Sequence, residues 1–305
     1  MPTYSSFPTV GAEFKSNTSD GGSVPARFDC FLYKPDGGFD QLKLTIKLRI
    51  NLRQLAPRMI PLVLDSDDHP FWTSPWDSPS WKRFLNAASA QADVWNRKFW
   101  LIPPANFTKF DNSVYGSPDK VFRPNIQCQL DVDFAPSSDA HATIDVANLD
   151  LSKLVGKTQN SGTFRSHSLL YDSLDGTPYV FSFEGGTPNY HYTIAHEIGH
   201  SIGLDHIGVM RKLPLCDLAI ALENVDQRLL PPTLTGGTNA YYCYGSEQGM
   251  KHAGNIMGAG SNFAVENAVP WQWSAALLHA KLGGGGMAFW QVVTANPGPG
   301  RWVNA

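Results

Sequence analysis

HEIGHSIGLDH (residues 196–206) is the stretch of sequence on which the predicted fold and chemistry depend. Its first two histidines, His196 and His200, are four residues apart, so on a helix both imidazoles project from one face, about one turn apart. Glu197 lies beside that face, where it does not need to bind the metal but can hydrogen-bond a water on it. The spacing therefore predicts a helix that carries two metal ligands and a catalytic carboxylate.

The second half of this stretch predicts a third ligand. Gly203 follows His200 by three residues, and glycine readily takes the positive φ that ends a helix and reverses the chain. His206 can then return to the same ion. Two alternatives are an ordinary amphipathic helix with aligned histidines and a purely structural zinc site. The latter usually adds a fourth protein ligand, whereas three histidines leave a position for water, so we expect one catalytic Zn²⁺.

Upstream of this stretch the sequence alternates between strand and helix signals. LKLTIKLRINL (42–52) alternates apolar and polar residues and predicts a strand, with FDCFLY (28–33) as its partner across a Gly-Gly turn. A helix is expected from about Ser80 to about Phe99, after a start at Ser78-Pro79, and its buried stripe would hold Trp81, Phe84, Leu85, Ala88, Ala92 and Trp95. Further strands are predicted at 126–134, 141–149, 168–171 and 178–183, followed by a helix from Tyr190 to Gly203.

The part after His206 is loop-rich, with helices expected at 215–225 and 270–282. The whole order predicts an α+β fold, a twisted mixed sheet with helices packed on it. We expect residues 1–26 to form an extended or poorly ordered arm. Residues 27–206 would form an upper lobe with the sheet, a long helix and the zinc helix, and 207–305 a lower lobe that ends in a helix, with 27–305 as one catalytic domain.

The motif fits HExxHxxGxxH, and the chain here resembles the metzincin clan of zinc endopeptidases. The resemblance implies a two-lobed catalytic domain, with two long helices above the cleft and a methionine-containing turn beneath the metal. Met257 in Asn255-Ile256-Met257-Gly258 is the candidate, and Met250 is the other contender. Ile207 and Ala259 stand where familiar subgroups carry other residues, so the subfamily is unassigned.

The resemblance also implies a reaction, hydrolysis of peptide bonds in protein substrates. Glu197 would act as general base and then general acid for a metal-activated water. An extended substrate would add itself to an edge strand, for which 178–183 and 168–171 are the candidates. Two alternatives remain: an exported effector or toxin protease with one specific protein target, and a catalytically silent, zinc-stabilised binding module.

Several other residues could have a role near the metal, but for most of them the sequence favours an ordinary structural role. Trp271 and Trp273 could narrow the substrate pocket, although core packing is the favoured interpretation. His191 precedes His196 by five residues, shares the ligand face of a helix less well than His200 does, and is interpreted as an ordinary polar residue. The same holds for His252. The phenols of Tyr241, Tyr242 and Tyr244 could reach an oxyanion, and their spacing does not distinguish among them.

Composition narrows the partners and the location. A net charge of −3 gives no field that would favour nucleic acid, and no apolar run reaches the ~20 residues of a membrane span. The opening residues lack the basic start and apolar block of a secretory leader, so we expect a soluble chain that is cytosolic, a mature form whose leader has been removed, or exported without a cleaved leader, with secretion or export favoured. We also expect a monomer. The acidic run 65–68 could hold calcium, but it lacks the twelve-residue loop pattern, so the sequence does not support a calcium site.

Four scattered cysteines leave three pairings open and include no CxxC pair. The pairing favoured by position joins Cys216 to Cys243 and Cys30 to Cys128. Four buried thiols in a reducing compartment are the alternative.

Overall fold

The computed structural model describes residues 4–6, 10–17, 23–35, 42–57, 59–60, 71–105, 116–117, 120–134, 139–153, 170–181, 189–223, 243–245, 252–281, 290–298 and 300–304. The strands are β1 Tyr4–Ser6, β2 Val10–Asn17, β3 Ser23–Pro35, β4 Leu42–Gln54, β5 Met59–Ile60, β6 Phe71–Trp72, β7 Trp100–Ile102, β8 Gly116–Ser117, β9 Lys120–Pro124, β10 Ile126–Asp133, β11 Ala142–Ala147, β12 Leu170–Asp172, β13 Tyr179–Phe181, β14 Asn189–His191, β15 Gln291–Val293 and β16 Gly300–Asn304. The helices are α1 Ser78–Ala92, α2 Thr193–Ser201, α3 Ile207–Met210, α4 Pro214–Glu223 and α5 Val269–Lys281.

A curled mixed sheet centred on β4 organises the α+β fold. The apolar residues of β4 alternate with polar ones, and those that face the core are buried, as the pleat requires. β3 pairs with β4 antiparallel, as the sequence predicts, while β10 and β11 run parallel to β4 along its first and second parts. β12 extends the sheet beyond β11, also in parallel. The parallel strands β10, β11 and β12 thus precede α2 along the chain.

Helix α1 begins as the sequence predicts and ends earlier. Asp77 caps it by accepting a hydrogen bond from the Ser80 amide at 2.7 Å, and a proline occupies the first turn. The expected end near Phe99 is wrong. The α-helix stops at Ala92 and continues as one 3-10 turn, Asp93–Trp95, before Arg97 takes a positive φ of 60°. This break allows Trp100 to start β7 at the edge of β10.

A buried aromatic group joins the sheet, α1 and the C-terminal part of the chain. Trp95 packs against Phe263 and Trp271, and Phe99 packs against the same two rings. The Trp95 indole donates to the Ala195 carbonyl of α2 at 2.9 Å. Trp271 is fully buried here, so the favoured interpretation of this indole as a core residue is confirmed.

Gln91 ties the two principal helices together. This buried side chain accepts a hydrogen bond from the Ile194 amide at 3.0 Å and donates to the Asp175 carbonyl at 2.6 Å. It thereby satisfies one of the unpaired amides in the first turn of α2, which has no side-chain cap of its own. A buried polar residue on α1 therefore fixes where α2 starts.

Three expectations about the elements need correction. The helix expected from Tyr190 begins only at Thr193, because residues 189–191 form β14, which pairs antiparallel with β13. With nine residues, α2 is not the long helix expected of a two-helix upper lobe. The chain also does not finish at α5. β15 returns to pair with β7, and β16 pairs with β9, so the last residues rejoin the strands of the first part.

The opening segment contributes strands. Of residues 1–26, expected to form an extended or poorly ordered arm, β2 and the first part of β3 pair with each other, and β1 pairs with the end of β3. Residues 65–68, the weak calcium candidate, lie outside the described residues. Among the described residues, no helix combines the length and apolarity needed to cross a membrane.

The cysteines divide into one bridge and two buried thiols. Cys216 and Cys243 form the disulfide that their positions favoured. The pairing of Cys30 with Cys128 is wrong. Cys30 lies on β3 and Cys128 on β10, with β4 between them, so the two strands are about 10 Å apart, beyond the Cα separation of a disulfide.

Candidate metal centre

The structure brings the three predicted ligands together. The Nε2 atom of His200 lies 3.2 Å from that of His196 and 3.1 Å from that of His206. Candidate ligand atoms of all three residues lie within 4.8 Å of one another. Among the described residues, this is the one group of three or more His, Cys, Asp or Glu side chains with metal-binding spacing.

Backbone carbonyls fix the tautomer of two of these rings. His196 Nδ1 lies 2.8 Å from the Ile256 carbonyl oxygen, and His200 Nδ1 lies 2.7 Å from that of Leu204. A carbonyl oxygen can only accept, so each Nδ1 carries the proton, and each neutral ring has a bare lone pair on Nε2. Two such lone pairs facing each other at 3.2 Å repel unless a cation lies between them.

The spacing fits a metal ion. With metal–nitrogen bonds of about 2.0–2.1 Å, ligands at the corners of a tetrahedron lie about 3.3–3.4 Å apart. The two Nε2 separations are within a few tenths of an ångström of that value. Histidines that bind metals usually donate their other ring N–H to a carbonyl or carboxylate, which is the arrangement of His196 and His200.

Burial keeps the ligands neutral. The His196 pKa is lowered well below its usual value by desolvation and by the neighbouring His200 and His206 imidazoles. The His206 pKa is likewise lowered by desolvation and by His200. Uncharged imidazole is the form that binds a metal, so the site holds these two ligands ready at neutral pH.

Gly203 gives the reversal that brings in His206. Its φ is 93°, and the Gly203 and Leu204 amides donate back to the carbonyls of His200 and Gly199 at 2.9 Å. This pair of bonds is the Schellman arrangement that ends a helix. Because the turn places the Leu204 carbonyl on His200 Nδ1, it both redirects the chain and orients the second ligand.

The turn that contains Met257 closes the site from below. Met257 is fully buried, and a Cβ atom added at Gly199 would overlap its sulfur, so the thioether lies against the helix between the first two ligands. The turn is held by Asn255, whose side chain accepts from the Met257 amide at 2.8 Å and forms two hydrogen bonds with Asn267. The Ile207 amide donates to the Met257 carbonyl at 2.8 Å, which fastens the turn beside His206.

Tyr244, next to the disulfide, packs against two of the candidate ligands. The Tyr244 ring centroid lies 4.3 Å from that of His206 and 5.5 Å from that of His196. Cys243 immediately precedes it and is tied to Cys216 in α4. Of the three tyrosines that the sequence could not separate, Tyr244 is at the metal centre, while Tyr241 and Tyr242 lie outside the described residues.

Glu197 is buried, with 5% of its surface exposed. Its charge is one of the causes that raise the pKa of the Tyr171 phenol, after the burial of that phenol. The acid of the motif therefore lies in a region of low dielectric, next to the ligand that precedes it in the chain.

His191, which the sequence favours as an ordinary polar residue, lies beside the candidate ligands. Its ring centroid lies 5.4 Å from that of His196, and burial lowers the His191 pKa to about 4. The sequence predicts it on the helix, where a five-residue offset separates it from the ligand face. The residue instead lies on β14, and no sequence signal for so short a strand stood out. His252, the other candidate, hydrogen-bonds Arg211.

No protein-family model matches the chain, and no match is found among curated proteins or among solved structures.

Proposed function

We propose that this protein is a zinc-dependent endopeptidase, with His196, His200 and His206 as metal ligands and Glu197 as general base and general acid. One observation carries the proposal. His200 Nε2 lies 3.1–3.2 Å from the Nε2 atoms of the other two histidines, and carbonyl partners on Nδ1 leave the Nε2 lone pairs of His196 and His200 free to bind a metal. Among the described residues, no fourth His, Cys, Asp or Glu joins them. An open ligand position is the mark of a catalytic metal site.

Zinc is the metal that this ligand set favours. Imidazole suits several transition metals, and three neutral imidazoles in a tetrahedral arrangement are a common catalytic zinc shell. A zinc ion there would polarise a carbonyl and lower the pKa of a bound water towards ~7.

The protein's own contribution to the reaction is proton handling and order. Glu197 takes the proton of the attacking water and returns it to the departing amine, which requires a carboxylate held close to the metal and shielded from bulk water. Its burial meets the second requirement, and its place beside His196 in α2 favours the first. His196 and His200 are kept in one tautomer by Ile256 and Leu204, so neither of these two rings has to reorient during the reaction.

The arrangement also supports a metzincin-like active site. α1 precedes the parallel strands that lead to α2, and the Met257 turn lies beneath the ligand helix. Substrate would bind extended along an edge. β12 pairs with β11 on one side only among the described residues, which leaves its other side to accept a peptide.

The test compares wild type with Glu197→Gln, which keeps the shape of the side chain and removes its basicity. We expect both to hold one zinc per chain, and kcat/KM of the variant on a peptide from proteome-wide cleavage profiling to fall by about 10²–10⁴. Asp131→Asn makes the same chemical change at an exposed strand position and should leave kcat/KM unchanged.

Two outcomes would oppose the proposal. Equal cleavage by wild type and Glu197→Gln would remove the carboxylate from the reaction. Wild type that binds zinc and cleaves nothing in a proteome-derived library would indicate a zinc-stabilised binding module. Cleavage confined to one protein would instead indicate a narrowly specific protease.

A further inference from the structure

The strongest unexplained feature of the site is His191, which no part of the motif includes. It is the last residue of β14, opposite Tyr179 of β13, and α2 begins two residues later. The short hairpin therefore fixes the His191 backbone from one side and the ligand helix fixes it from the other. A side chain at such a junction has little freedom to move away from the metal centre.

The His191 ring faces the ligands. Its centroid lies 5.4 Å from that of His196, with the two planes inclined by 58°. Electrostatically it acts on both His196 and His206. Tyr244 packs on the same pair of rings. His191 and Tyr244 are thus two groups beside the same two ligands.

Among the described residues, one ring nitrogen of His191 has no hydrogen-bond partner. Nδ1 is buried, and it forms no hydrogen bond with the described part of the chain. Buried polar atoms of this kind are rare in folded proteins because desolvation without a new hydrogen bond is unfavourable. Most of the ring is buried, yet part of the residue reaches the surface. An imidazole in that position is suited to meet a ligand that enters from outside.

His191 does not complete the metal shell. The group of mutually close ligand atoms contains His196, His200 and His206 and does not include it. The three-histidine group therefore does not account for the buried Nδ1 of His191.

We propose that His191 is a catalytic residue that donates a hydrogen bond to the carbonyl oxygen of the scissile peptide bond as that oxygen becomes the tetrahedral oxyanion. This role rests on the proposed peptidase function. A neutral imidazole has one N–H donor and one acceptor, so it can supply this bond without carrying charge itself. A donor fixed in a water-poor site is worth more than one in water, because it is already oriented when charge develops.

The test uses two variants and a neighbouring control. His191→Phe keeps a ring of similar size and removes both nitrogens, while His191→Gln keeps an N–H donor. Tyr190→Phe changes the exposed preceding residue of the same strand and should behave as wild type. Zinc content and thermal melting come first, followed by kcat and KM on the profiled peptide. Calorimetry then gives the Kd of a phosphinic peptide, whose tetrahedral phosphorus mimics the intermediate.

For His191→Phe we expect one zinc per chain, a kcat reduced about 10²–10³-fold and a KM changed much less. The phosphinic peptide should lose affinity by a similar factor, because it presents the oxyanion that the imidazole would bind. His191→Gln should recover part of both losses, which a purely structural role of the ring would not produce. If His191→Phe fails to fold, His191→Gln and the inhibitor measurement still decide the matter.

Three results would overturn the role. Loss of zinc from folded His191→Phe would make the residue a ligand. Unchanged kcat, or unchanged phosphinic-peptide affinity, would leave it without a catalytic bond while the peptidase function stands. Wild type that is fully loaded with zinc and cleaves no peptide would overturn the peptidase function itself, and this role with it.

Discussion

At the scale of single residues, the tautomers of His196 and His200 are the most informative feature of the site. Neither can be inferred from the motif, because the partner of each Nδ1 is a backbone carbonyl contributed by Ile256 or Leu204. The sequence predicts which rings bind and not what orients them. The ligand identities could thus be read from spacing, whereas their preparation for metal binding required the fold.

At Gly199 there is no room for a side chain, because Met257 occupies the space that a Cβ atom would need. An alanine there would overlap the Met257 sulfur, with the Trp95 ring 3.1 Å behind it. We expect Gly199→Ala to lower the free energy of unfolding by about 1–3 kcal/mol. Urea denaturation of the zinc-loaded protein measures this. Met257→Leu, which nearly conserves volume, should cost less than about 1.5 kcal/mol, and an equal loss from both variants would contradict the tight contact.

Asp172 is a buried carboxyl beside Asp175, and both burial and the neighbouring charge raise its pKa well above the usual value. The folded state therefore holds a proton that the unfolded state releases. The contribution of Asp172 to stability is complete below the unfolded pKa of about 3.9 and is lost as pH rises through the folded pKa.

Asp172→Asn removes that titration and keeps an oxygen to accept from the Leu174 amide. We expect the variant to equal or exceed wild type in stability at pH 8, and to lose less stability than wild type between pH 4 and pH 8. Chemical denaturation across this range is the measurement. Asp131→Asn, at a half-exposed position, should follow wild type. A variant less stable than wild type at pH 8 would show that the carboxylate is ionised and favourable.

At the scale of elements, the boundaries of α2 decide which side chains surround the candidate metal site. The predicted helix from Tyr190 was wrong at its start because apolar periodicity cannot show that Gln91, over 100 residues upstream, accepts from the Ile194 amide and fixes the first turn. The same error places His191 on the helix instead of on β14. Strand β14 has three residues, and its pairing with β13 is a contact between two short segments rather than a pattern within either.

The turn after α2 gives a prediction of its own. Gly203→Ala would place a side chain at a φ of 93°, which L residues rarely adopt. We expect a loss of about 1–3 kcal/mol in the free energy of unfolding, together with weaker zinc binding, because His200 and His206 depend on the turn.

Denaturation and zinc titration measure the two effects. Gly176→Ala is the matched control, since a Cβ there meets its neighbours at 3.4 Å or more and its φ is not positive. Similar losses from the two variants would mean that the backbone conformation of Gly203 matters little.

At the scale of the whole molecule, the strand order around β4 could be anticipated only in part. The antiparallel pairing of β3 with β4 was predicted from neighbouring runs in the sequence, but the return of β15 to β7 joins residues almost 200 positions apart. The wrong cysteine pair has the same cause, because sequence position does not show which strands are neighbours in the sheet. Position along the chain favours a bond between Cys30 and Cys128, but β4 lies between their two strands in the sheet.

The disulfide gives a prediction at this scale. In denaturant without reductant, two of the four cysteines should react with a thiol reagent, and all four after reduction. The double variant Cys216→Ser/Cys243→Ser should lose ~3–4 kcal/mol of stability, since the bridge closes a loop of 27 residues. It should also bind zinc more weakly, because Tyr244 would be less firmly held on His206. Cys128→Ala, outside the bridge, should keep the zinc affinity of wild type.

Metal removal tests the centre as a whole. A chelator should lower the melting temperature, because zinc bound only by the folded state adds about 4 kcal/mol when its free concentration is 1,000 times its dissociation constant. His200→Ala should melt at the same temperature with and without the chelator. A wild type that is equally indifferent would mean that the three imidazoles hold no ion.

The bond from His196 to the Ile256 carbonyl also bears on how the protein is made. That oxygen is contributed 60 residues after the ring it orients. During synthesis, HEIGHSIGLDH leaves the ribosome well before its partner exists, so the nascent chain carries the motif without the poised ring. His196 therefore gains this orienting bond only after the later part of the polypeptide has emerged and docked.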